Sequence, residues 1–503
     1  MKKHIYLYIS CIALLLSSCN DFLSESSQDE VRPSTTSDLE ELLLGDGYAS
    51  HTPIFSYLEL LTDDVESNYS DATNQEDALR AGAAVFTWAN DMFEQMQKNN
   101  IPWSNSWQQL YHWINGCNVV IDQLPKVSGS TIAKQKIEAE ALALRSFYYF
   151  LLVNTFAPAY NTANPALNNA LGVPLILKST VKDEFPKRNT VEEVYQQIEK
   201  DLLTSQKLWK SCGEYKASVY TVSPLFVDLL LSRLYLYEGK WAESARYSNA
   251  VIAQKPTLRQ LSKYYTYDDW QGIVLYDMAK GGVYNSDSPE LIWGYSINGE
   301  YDAFFVGINP HIDFGKLPAF TVSKTLESLY EPNDIRREAY FYSYLTMNGF
   351  MPEKHLLVGR KSDKVPQNPT KGMRVAEAYL NRAEANARLY LQNKDEKLRQ
   401  AALSDLNTLR ASRFTGTYQP INITDANKLI DFCLQERRRE LCFEDHRWFD
   451  LKRQGMPAIE HKFSIVSGQT TTYKLEQNSS KYVLPIPLEV RQRNPELDLL
   501  INN

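Results

Sequence analysis

Apolar residues spaced three and four apart recur through most of the chain and predict helices that pack in pairs. The pattern runs through residues 107–121 and 137–150, where small and large apolar side chains fall at that spacing. It returns in residues 229–252, around a turn at Gly239, and again in 375–409. The last two stretches place Ala and Ser where paired helices would touch, as in a tetratricopeptide unit. The irregular spacing predicts a mainly α fold of about four helix pairs separated by insertions.

The first residues have the pattern of a bacterial lipoprotein signal. Two lysines follow Met1, and residues 5–16 form an apolar run that is too short to span a bilayer. The run ends in Leu16-Ser-Ser-Cys19, which resembles a lipobox, in which the cysteine thiol receives a diacylglyceryl group before cleavage. We therefore predict a signal peptide over residues 1–18 and lipidation of Cys19. The alternative is an ordinary signal peptide that happens to contain a cysteine.

A polar segment separates the predicted anchor from the folded body. Residues 19–36 are rich in Ser, Asp and Glu and are predicted to form a lipidated, flexible tether. Asp21 follows the cysteine by two residues, and this start resembles the acidic export signals of surface lipoproteins. Folding is predicted to begin at Ser37-Asp-Leu-Glu40, a pattern typical of a capping box, so that the body spans residues 37–503.

Residues 256–370 differ in composition from the helical stretches on either side, which are residues 37–255 and 371–503. Gly and Pro become frequent, the helical period is lost, and residues 290–297 predict a short strand. Eleven of the 42 residues from Tyr264 to Phe305 are aromatic, about twice the chain's 12% average. We predict a helix-poor, aromatic-rich insertion. Its rings either stack on the faces of sugar rings or fill the core of this lobe.

Six residues are predicted to contact a ligand because of their type and their place in loops. An aromatic face can stack on a sugar ring or a peptide side chain, and an amide can bond to a hydroxyl group. The candidates are Trp103, Asn105, Tyr267, Trp270, Tyr301 and Phe304.

The stretch from Gln435 to Gly455 mixes dense charge with large apolar side chains. Its acids and arginines fall three apart and predict local ion pairs along one half-buried helix: Arg437 with Glu440, Glu444 with Arg447, and Asp450 with Arg447 and Arg453. Gly455-Met-Pro457 is predicted to end that helix. The alternative is a metal or catalytic site, whose candidate groups are Cys442, Glu444, His446 and Asp450. Spacing of the HExxH or CxxC kind is absent from the stretch, which favours a scaffold.

The same stretch closely resembles the signature of the SusD/RagB family of surface nutrient-binding lipoproteins. The matching positions are Glu-Arg-Arg-Arg-Glu-Leu-x-Phe-Glu-x-x-Arg-Trp-x-Asp-Leu-x-Arg, from residue 436 to residue 453. The Ala-Glu-Ala helix at residues 375–385 and the Pro-held ending at residues 481–490 resemble the family as well, so that the likeness covers nearly the full length. In that family the signature is a scaffold element that does not contact substrate. The resemblance to the family does not extend to the aromatic-rich insertion at residues 256–370 and gives no information about its role.

The resemblance implies a lipid-anchored protein of the outer membrane that faces the cell exterior and is not an enzyme. It implies a SusC-like TonB-dependent transporter as partner, over which the subunit would sit as a lid. The implied ligand is an oligosaccharide, with an oligopeptide as the alternative, because one branch of the family binds peptides. An adapter or assembly lipoprotein built on tetratricopeptide helices stays open as a second class. It would explain the anchor and the helix pairs but leave the insertion and the signature unexplained.

Charge and motifs exclude several other classes. The net charge of −8 argues against a nucleic-acid partner, which would require a basic face. The sequence contains no GxSxG elbow, P-loop, GxGxxG or HExxH motif, so we predict no catalytic residue, metal or cofactor. A glycoside hydrolase would need two carboxylates at a defined separation, which sequence cannot show. The acidic stretch at residues 60–66 lacks calcium-loop spacing and is predicted to be a solvated turn.

Overall fold

The fold is mainly α, as predicted, with a helix-poor insertion and a few short strands. The computed structural model describes residues 33–49, 54–69, 76–101, 105–180, 184–213, 215, 218–268, 273–295, 318–348, 351–363, 367–466 and 468–497. Within these ranges, no helix is long and apolar enough to cross a membrane. The cysteines at positions 117, 212, 433 and 442 are buried free thiols.

Before residue 213, besides three short 3-10 or π-helical segments, the described part of the chain forms six α-helices and one short strand. They are α1 Thr36–Leu42, β1 Val65–Ser67, α2 Glu76–Phe86, α3 Met92–Lys98, α4 Ser106–Gln123, α5 Thr131–Phe156 and α6 Val191–Cys212. The capping box of α1 is formed by Thr35 and Asp38, two residues earlier than predicted. The Thr35 hydroxyl accepts from the Asp38 amide at 3.2 Å, and the Asp38 carboxylate accepts from the Thr35 amide at 3.1 Å.

Two further helices precede the insertion, and the insertion itself consists of hairpins and short helices. The helices are α7 Pro224–Tyr237 and α8 Trp241–Gln254. The insertion and the strand that closes it contain β2 Tyr265–Asp268, β3 Ile273–Tyr276, α9 Met278–Gly281, β4 Leu291–Tyr295, β5 Phe320–Val322, α10 Lys324–Glu327, α11 Arg336–Tyr340, β6 Phe341–Asn348, β7 Met351–Gly359 and β8 Lys371–Arg374. The strand predicted at residues 290–297 is β4.

The remainder of the chain returns to helices, with one hairpin near its end. The elements are α12 Val375–Asn393, α13 Glu396–Ala411, α14 Ala426–Leu441, α15 Arg447–Arg453, β9 Ile459–Phe463, β10 Thr471–Leu475 and α16 Leu488–Arg493. The described strands form two-stranded antiparallel sheets, which pair β1 with β5, β2 with β3, β4 with β8, β6 with β7 and β9 with β10.

The helices pack as the predicted pairs. Helix α4 lies along α5, α7 along α8, and α12 along α13, while α6 covers a second side of α5 and α12 also contacts α8 and α14. Helix α5 is buried from Ala139 to Phe156, because helices cover it on several sides. A second, smaller apolar cluster joins α12, α13 and α14. The result is a tetratricopeptide-like scaffold, and the insertion leaves it after α8 and rejoins it at α12.

Three of the insertion's aromatic residues fill the core. Tyr284, Trp293 and Tyr295 are buried, and the Trp293 ring lies edge-on to Phe147 of α5 and Phe226 of α7, with ring centroids 5.4 and 5.1 Å apart. For these three rings, the core-filling alternative holds. They fasten the insertion to the helical scaffold and are not available to a ligand.

Candidate functional site

The signature stretch consists of two helices joined by a tight turn, and the prediction of one continuous helix is wrong. Helix α14 ends at Leu441 and α15 begins at Arg447. Between them Phe443 and Asp445 both adopt a left-handed backbone with φ of 61°, which a continuing α-helix excludes. The predicted end of the stretch is confirmed, because Gly455 has a φ of 97°, which glycine adopts readily.

Glu440 is the centre of a buried ionic network. Its carboxylate accepts hydrogen bonds from Arg374 at 2.6 Å, from Arg413 at 2.9 and 3.0 Å, and from Arg336 at 3.1 Å. The Tyr340 hydroxyl donates to the same carboxylate at 2.7 Å. These partners come from the insertion, from β8 and from the end of α13, so that one side chain connects three segments. Burial opposes ionisation, but the surrounding guanidinium groups outweigh it and hold the pKa of Glu440 well below its usual value.

Glu436 extends the network one helical turn earlier. Arg336, Arg410 and Arg439 donate to it at 2.7, 2.9 and 2.7 Å, and the carboxylate has no exposed surface. Burial alone would raise its pKa, but the three guanidinium groups hold it well below the usual range. The arginine at i+3 is the only one of the three partners that helical spacing predicts.

Glu444 extends the network into the turn. Its carboxylate accepts from Lys361 and from Arg374, the latter at 2.7 Å, and from the Tyr284 hydroxyl at 2.5 Å. Burial favours the neutral acid, yet Arg374 and Lys361 lower the pKa of Glu444. All three glutamates have lowered pKa values, accept several hydrogen bonds from protein donors and have almost no exposed side-chain surface, so that none of them is accessible to a substrate.

Most of the predicted local ion pairs do not form. Arg437 pairs with Asp450 at 2.8 Å, and Arg447 pairs through two 2.8 Å hydrogen bonds with Asp63, far away in sequence. The turn between α14 and α15 separates Glu444 from Arg447, so these two residues no longer share a helical face. The other two pairs lie within one helix each and are replaced because Glu440 and Arg447 bind partners from other segments. The predicted pair of Asp450 with Arg453 forms at 2.7 Å within α15.

The acidic stretch at residues 60–66 is largely buried, and its prediction as a solvated turn is wrong. Asp64 has no exposed side-chain surface and accepts from Arg438 at 2.6 Å, while Asp63 accepts from Arg447. Burial raises the pKa of Asp64, despite Arg438. For Asp63, burial is outweighed by the hydrogen bonds from Arg447, so that its pKa is lowered. The stretch is the surface on which the signature helices dock.

The groups proposed as a metal or catalytic site are occupied by neighbours. His446 accepts a hydrogen bond at Nδ1 from Arg437 at 3.2 Å. Burial is the main reason that the pKa of His446 lies well below its usual value, and the positive charge of nearby arginines lowers it further. Burial raises the pKa of Cys442 to about 11, so it is a thiol. Across the described ranges, no group of three or more His, Cys, Asp or Glu is arranged to hold a metal ion. The arrangement is that of a scaffold.

Lys452 is a buried cation of a different kind. It lies on α15, and its ammonium group donates to the main-chain carbonyls of Asn154 and Ala157, the latter at 2.8 Å. These carbonyls belong to the C-terminal end of α5, where a positive charge is favourable. Among the described residues, no carboxylate lies within ion-pair distance of Lys452. Burial lowers its pKa to about 7.

A small cleft opens elsewhere, where α3, the start of α4 and the start of α16 meet. It is lined by Phe93, Glu94, Gln97, Asn105, Pro487, Leu488 and Glu489. Asn105 caps α4, because its side-chain oxygen accepts from the Gln108 amide at 2.9 Å, and its side-chain nitrogen donates to Glu489. The Leu488 amide donates to one oxygen of Glu94 at 2.8 Å. The end of the chain is thereby fixed against the two helices.

The carboxylates of this cleft are not saturated. Glu94 and Glu489 each use one oxygen for the hydrogen bond just described, and no described residue donates to the other oxygen of either group. Both residues are half-buried. In contrast to the glutamates of the signature helix, these acceptors remain open to an incoming hydroxyl or ammonium group.

The structure describes two of the six predicted ligand residues. Asn105 lies in the cleft, and Tyr267 lies on β2 with 57% of its surface exposed. No hydrogen bond or ring contact joins these two residues. Trp103, Trp270, Tyr301 and Phe304 lie outside the described residues, as does the predicted lipidation site Cys19. Trp103 precedes Asn105 by two positions in the sequence.

Sequence reasoning missed Glu94 and Glu489. The sequence separates Glu489 from Asn105 by 384 positions, and nothing in the spacing links them. The available signal was the Pro-held ending, since a segment fixed by Pro485 and Pro487 can form a rigid wall.

Comparison with known proteins places this scaffold in a family. A family model described as starch-binding associating with outer membrane matches residues 21–236, and a model described as SusD family matches residues 328–502. The chain belongs to the SusD/RagB family. The SusD-like protein P38 of Formosa agariphila is 22% identical over an alignment of 398 positions, which covers 69% of this chain and 71% of that protein.

Solved structures share the SusD-like fold over most of the chain. A SusD superfamily protein from Bacteroides thetaiotaomicron matches with a TM-score of 0.67 at 21% identity, covering 92% of this chain and 99% of its own. A SusD-like carbohydrate binding protein from Bacteroides vulgatus matches with a TM-score of 0.64 at 23% identity, covering 92% and 97%. The family consists of binding proteins and is associated with the outer membrane.

Proposed function

We propose that this SusD-like protein captures oligosaccharides outside the outer membrane and delivers them to a SusC-like TonB-dependent transporter. The observation that carries the proposal is the cleft at Asn105. Its open carboxylate oxygens lie beside the apolar side chains of Phe93 and Leu488. Sugar hydroxyls donate to such oxygens, and the C–H faces of a sugar ring pack on apolar walls. The cleft belongs to a fold shared with a protein described as a SusD-like carbohydrate binding protein.

The proposed site combines this cleft with Trp103, two positions before Asn105 in the sequence, and with aromatic residues of the insertion. Asn105 is a positioning residue, because its amide is largely committed to capping α4 and to holding Glu489. Trp103, Tyr267, Trp270, Tyr301 and Phe304 are proposed to supply the stacking faces. The exposed ring of Tyr267 supports this role, since a core-filling ring would be covered.

The test is a binding screen of oligosaccharides and oligopeptides against the full chain purified in detergent. We expect oligosaccharides to bind, and we expect Trp270→Ala and Tyr301→Ala to weaken that binding about tenfold. Tyr473→Ala is the matched control, because Tyr473 is a partly exposed aromatic residue on β10 and has no proposed ligand role. Unchanged affinity in both insertion variants would exclude the insertion from the site. Binding of oligopeptides but of no oligosaccharide would show that the ligand is a peptide.

The proposed anchor follows from the lipobox at Cys19, with residues 1–18 as signal peptide and 19–36 as tether. A lipid-anchored protein needs no spanning helix, since several buried acyl chains hold it on the membrane. We expect Cys19→Ala to release the protein from membranes or to stall its processing. Normal retention of that variant after a high-salt wash would contradict the lipoprotein assignment.

A tethered binding protein cannot itself move cargo across a bilayer, so uptake requires a separate channel. The proposed partner is a SusC-like barrel, with a large interface formed by the folded body. Purification of the tagged protein from native membranes in mild detergent should recover a protein of barrel size. Recovery of the tagged protein alone, under conditions that preserve other outer-membrane complexes, would favour the adapter alternative.

A further inference from the structure

We infer that a buried cavity between α5, α7 and the turn of the signature stretch binds a single halide ion, such as chloride. The cavity measures about 20 Å³, and Arg233, Tyr237 and His446 line it together with apolar rings such as that of Phe150. This volume has room for one water molecule or one monatomic ion. The cavity shares no lining residue with the cleft at Asn105, so the inference does not depend on the proposed function.

Two of the lining side chains carry a hydrogen-bond donor that no described residue uses. The Tyr237 hydroxyl is buried, with 3% of the residue exposed, and it has no partner among the described residues. Arg233 donates through two of its three nitrogens to Glu377, both at 2.6 Å, and its third nitrogen has no such partner. Both residues lie on α7, one helical turn apart.

The ring of His446 supplies a third open donor. An arginine only donates, so Nδ1 of His446, which lies 3.2 Å from Arg437, is the acceptor in that hydrogen bond. Burial and the nearby arginines hold the pKa of His446 well below its usual value, so the ring is neutral and its one hydrogen is on Nε2. No described residue accepts a hydrogen bond from Nε2.

The carboxylates that line the cavity are already occupied. Glu444 accepts from a lysine, an arginine and a tyrosine, and Asp445 accepts from Lys371 at 2.6 Å and from Tyr295 at 3.2 Å. The same cations compensate their charge. A water molecule needs acceptors for its own two hydrogens, whereas an anion needs only donors. Three open donors beside occupied carboxylates therefore favour an anion.

Positive charge surrounds the open donors. The strongest charges that act on His446 are four cations, and two of these, Arg233 and Arg437, also act on Tyr237, where Asp450 opposes them. The open donors of His446 and Tyr237 thus lie in the field of the same guanidinium groups. A small anion is attracted strongly there, because the protein interior screens charge less than water does. A polyatomic anion such as sulfate is too large for the cavity.

The first experiment asks whether the cavity holds a halide. Crystals of the full chain are grown in sodium bromide, and anomalous scattering is measured at the bromine absorption edge. We expect an anomalous peak in the cavity, at hydrogen-bond distance from the Tyr237 hydroxyl. A cavity without that peak, whether it is dry or holds a water molecule, would overturn the inference.

The second experiment measures binding through stability. Thermal unfolding of the full chain in detergent is followed while sodium chloride replaces sodium gluconate at constant ionic strength, since gluconate is too large for the cavity. We expect the midpoint of unfolding to rise by about 2 °C or more and to level off as the site saturates, because the ion binds only the folded state. Sodium bromide should act in the same way.

A matched pair of variants locates the effect. Tyr237→Phe removes one open donor and should abolish most of the rise in the unfolding midpoint. Tyr235→Phe is the control, because Tyr235 lies on the same helix and its hydroxyl donates to Glu199 at 2.6 Å, outside the cavity; it should keep the full rise. No rise in the unmodified protein, or an equal rise in both variants, would overturn the inference and leave the proposed function intact.

Discussion

Two regions of this protein use glutamate in opposite ways. On the signature helix, Glu440 receives hydrogen bonds from three arginines and a tyrosine and has no exposed surface. In the cleft, Glu489 receives one hydrogen bond, from Asn105, and has a second oxygen that no described residue occupies. A carboxylate saturated by the protein can only support the fold, whereas one that is half-satisfied at a surface can bind a ligand. Density of charge in a sequence therefore does not identify a binding site.

Removal of Glu440 should have the largest effect on stability. Glu440→Ala leaves Arg336, Arg374 and Arg413 with fewer compensating charges in the core, and we expect a loss of about 3–5 kcal/mol in the free energy of unfolding. Denaturant titration measures this loss. Glu476→Ala is the exposed control and should change stability by less than about 0.5 kcal/mol. Ligand affinity of the Glu440→Ala protein that stays folded should be unchanged, and a stable variant without binding would move the signature from scaffold to site.

Arg447→Ala should cost about 2 kcal/mol, less than Glu440→Ala because Arg447 and Asp63 retain some solvent contact. The partner is tested by double-mutant cycles. Arg447→Ala should couple with Asp63→Ala by about 1 kcal/mol or more, and with Asp450→Ala by less than about 0.5 kcal/mol. Stronger coupling of Arg447 with Asp450 than with Asp63 would instead support the local Arg447–Asp450 pair that the sequence spacing predicts.

Lys452 is a buried lysine of the signature stretch that has no carboxylate partner among the described residues, so it should make stability depend on pH. Its pKa of about 7 in the folded protein lies below that of an unfolded lysine, so the unfolded state binds more protons between about pH 7 and 10.5. Stability should therefore rise with pH in that window, by about 1.4 kcal/mol per unit from this group. We expect Lys452→Met to remove that slope. Lys474→Met, on exposed β10, is the control and should leave it unchanged; a slope that survives in Lys452→Met would contradict the assignment.

Asn105 should show the smallest effect on stability and a clear effect on binding. Asn105→Ser keeps a helix cap but loses the donor to Glu489, so the free energy of unfolding should change by less than about 1 kcal/mol. Oligosaccharide affinity should fall several-fold, because the Glu489 wall is no longer held. Asn105→Ala, which also loses the cap, is the companion variant. Unaltered oligosaccharide affinity in both variants would show that the cleft is not part of the ligand site.

The helical scaffold could be predicted well from the sequence, because the apolar pattern that indicates a helix lies within the helix itself. Apolar periods define α4, α5, α7, α8, α12 and α13, and each period reports which face of a helix is buried. The prediction failed at the turn between α14 and α15. Phe443 and Asp445 adopt left-handed backbone there, which no period reveals. The partners of Arg447 and Arg437 are decided by tertiary packing, since Asp63 is distant in sequence and Asp450 lies beyond the turn.

The candidate site was predicted only in part, for the same reason. Asn105 was selected because it precedes a helix, which is a local signal. Glu94 and Glu489 belong to distant parts of the chain and meet only in the folded protein. The burial of Asp63 and Asp64 was missed likewise, since a run of acids resembles a solvated turn unless its arginine partners are known.

The position of Glu440 in the chain also determines the order in which the fold can be completed. Arg336, Arg374 and Arg413 are all synthesised before Glu440, so a nascent chain that ends earlier would have to bury cations without their common anion. The segments that carry these arginines should therefore reach their final packing only after Glu440 has been synthesised. A chain truncated before Glu440 should therefore be less stable and more sensitive to proteases than the full-length chain.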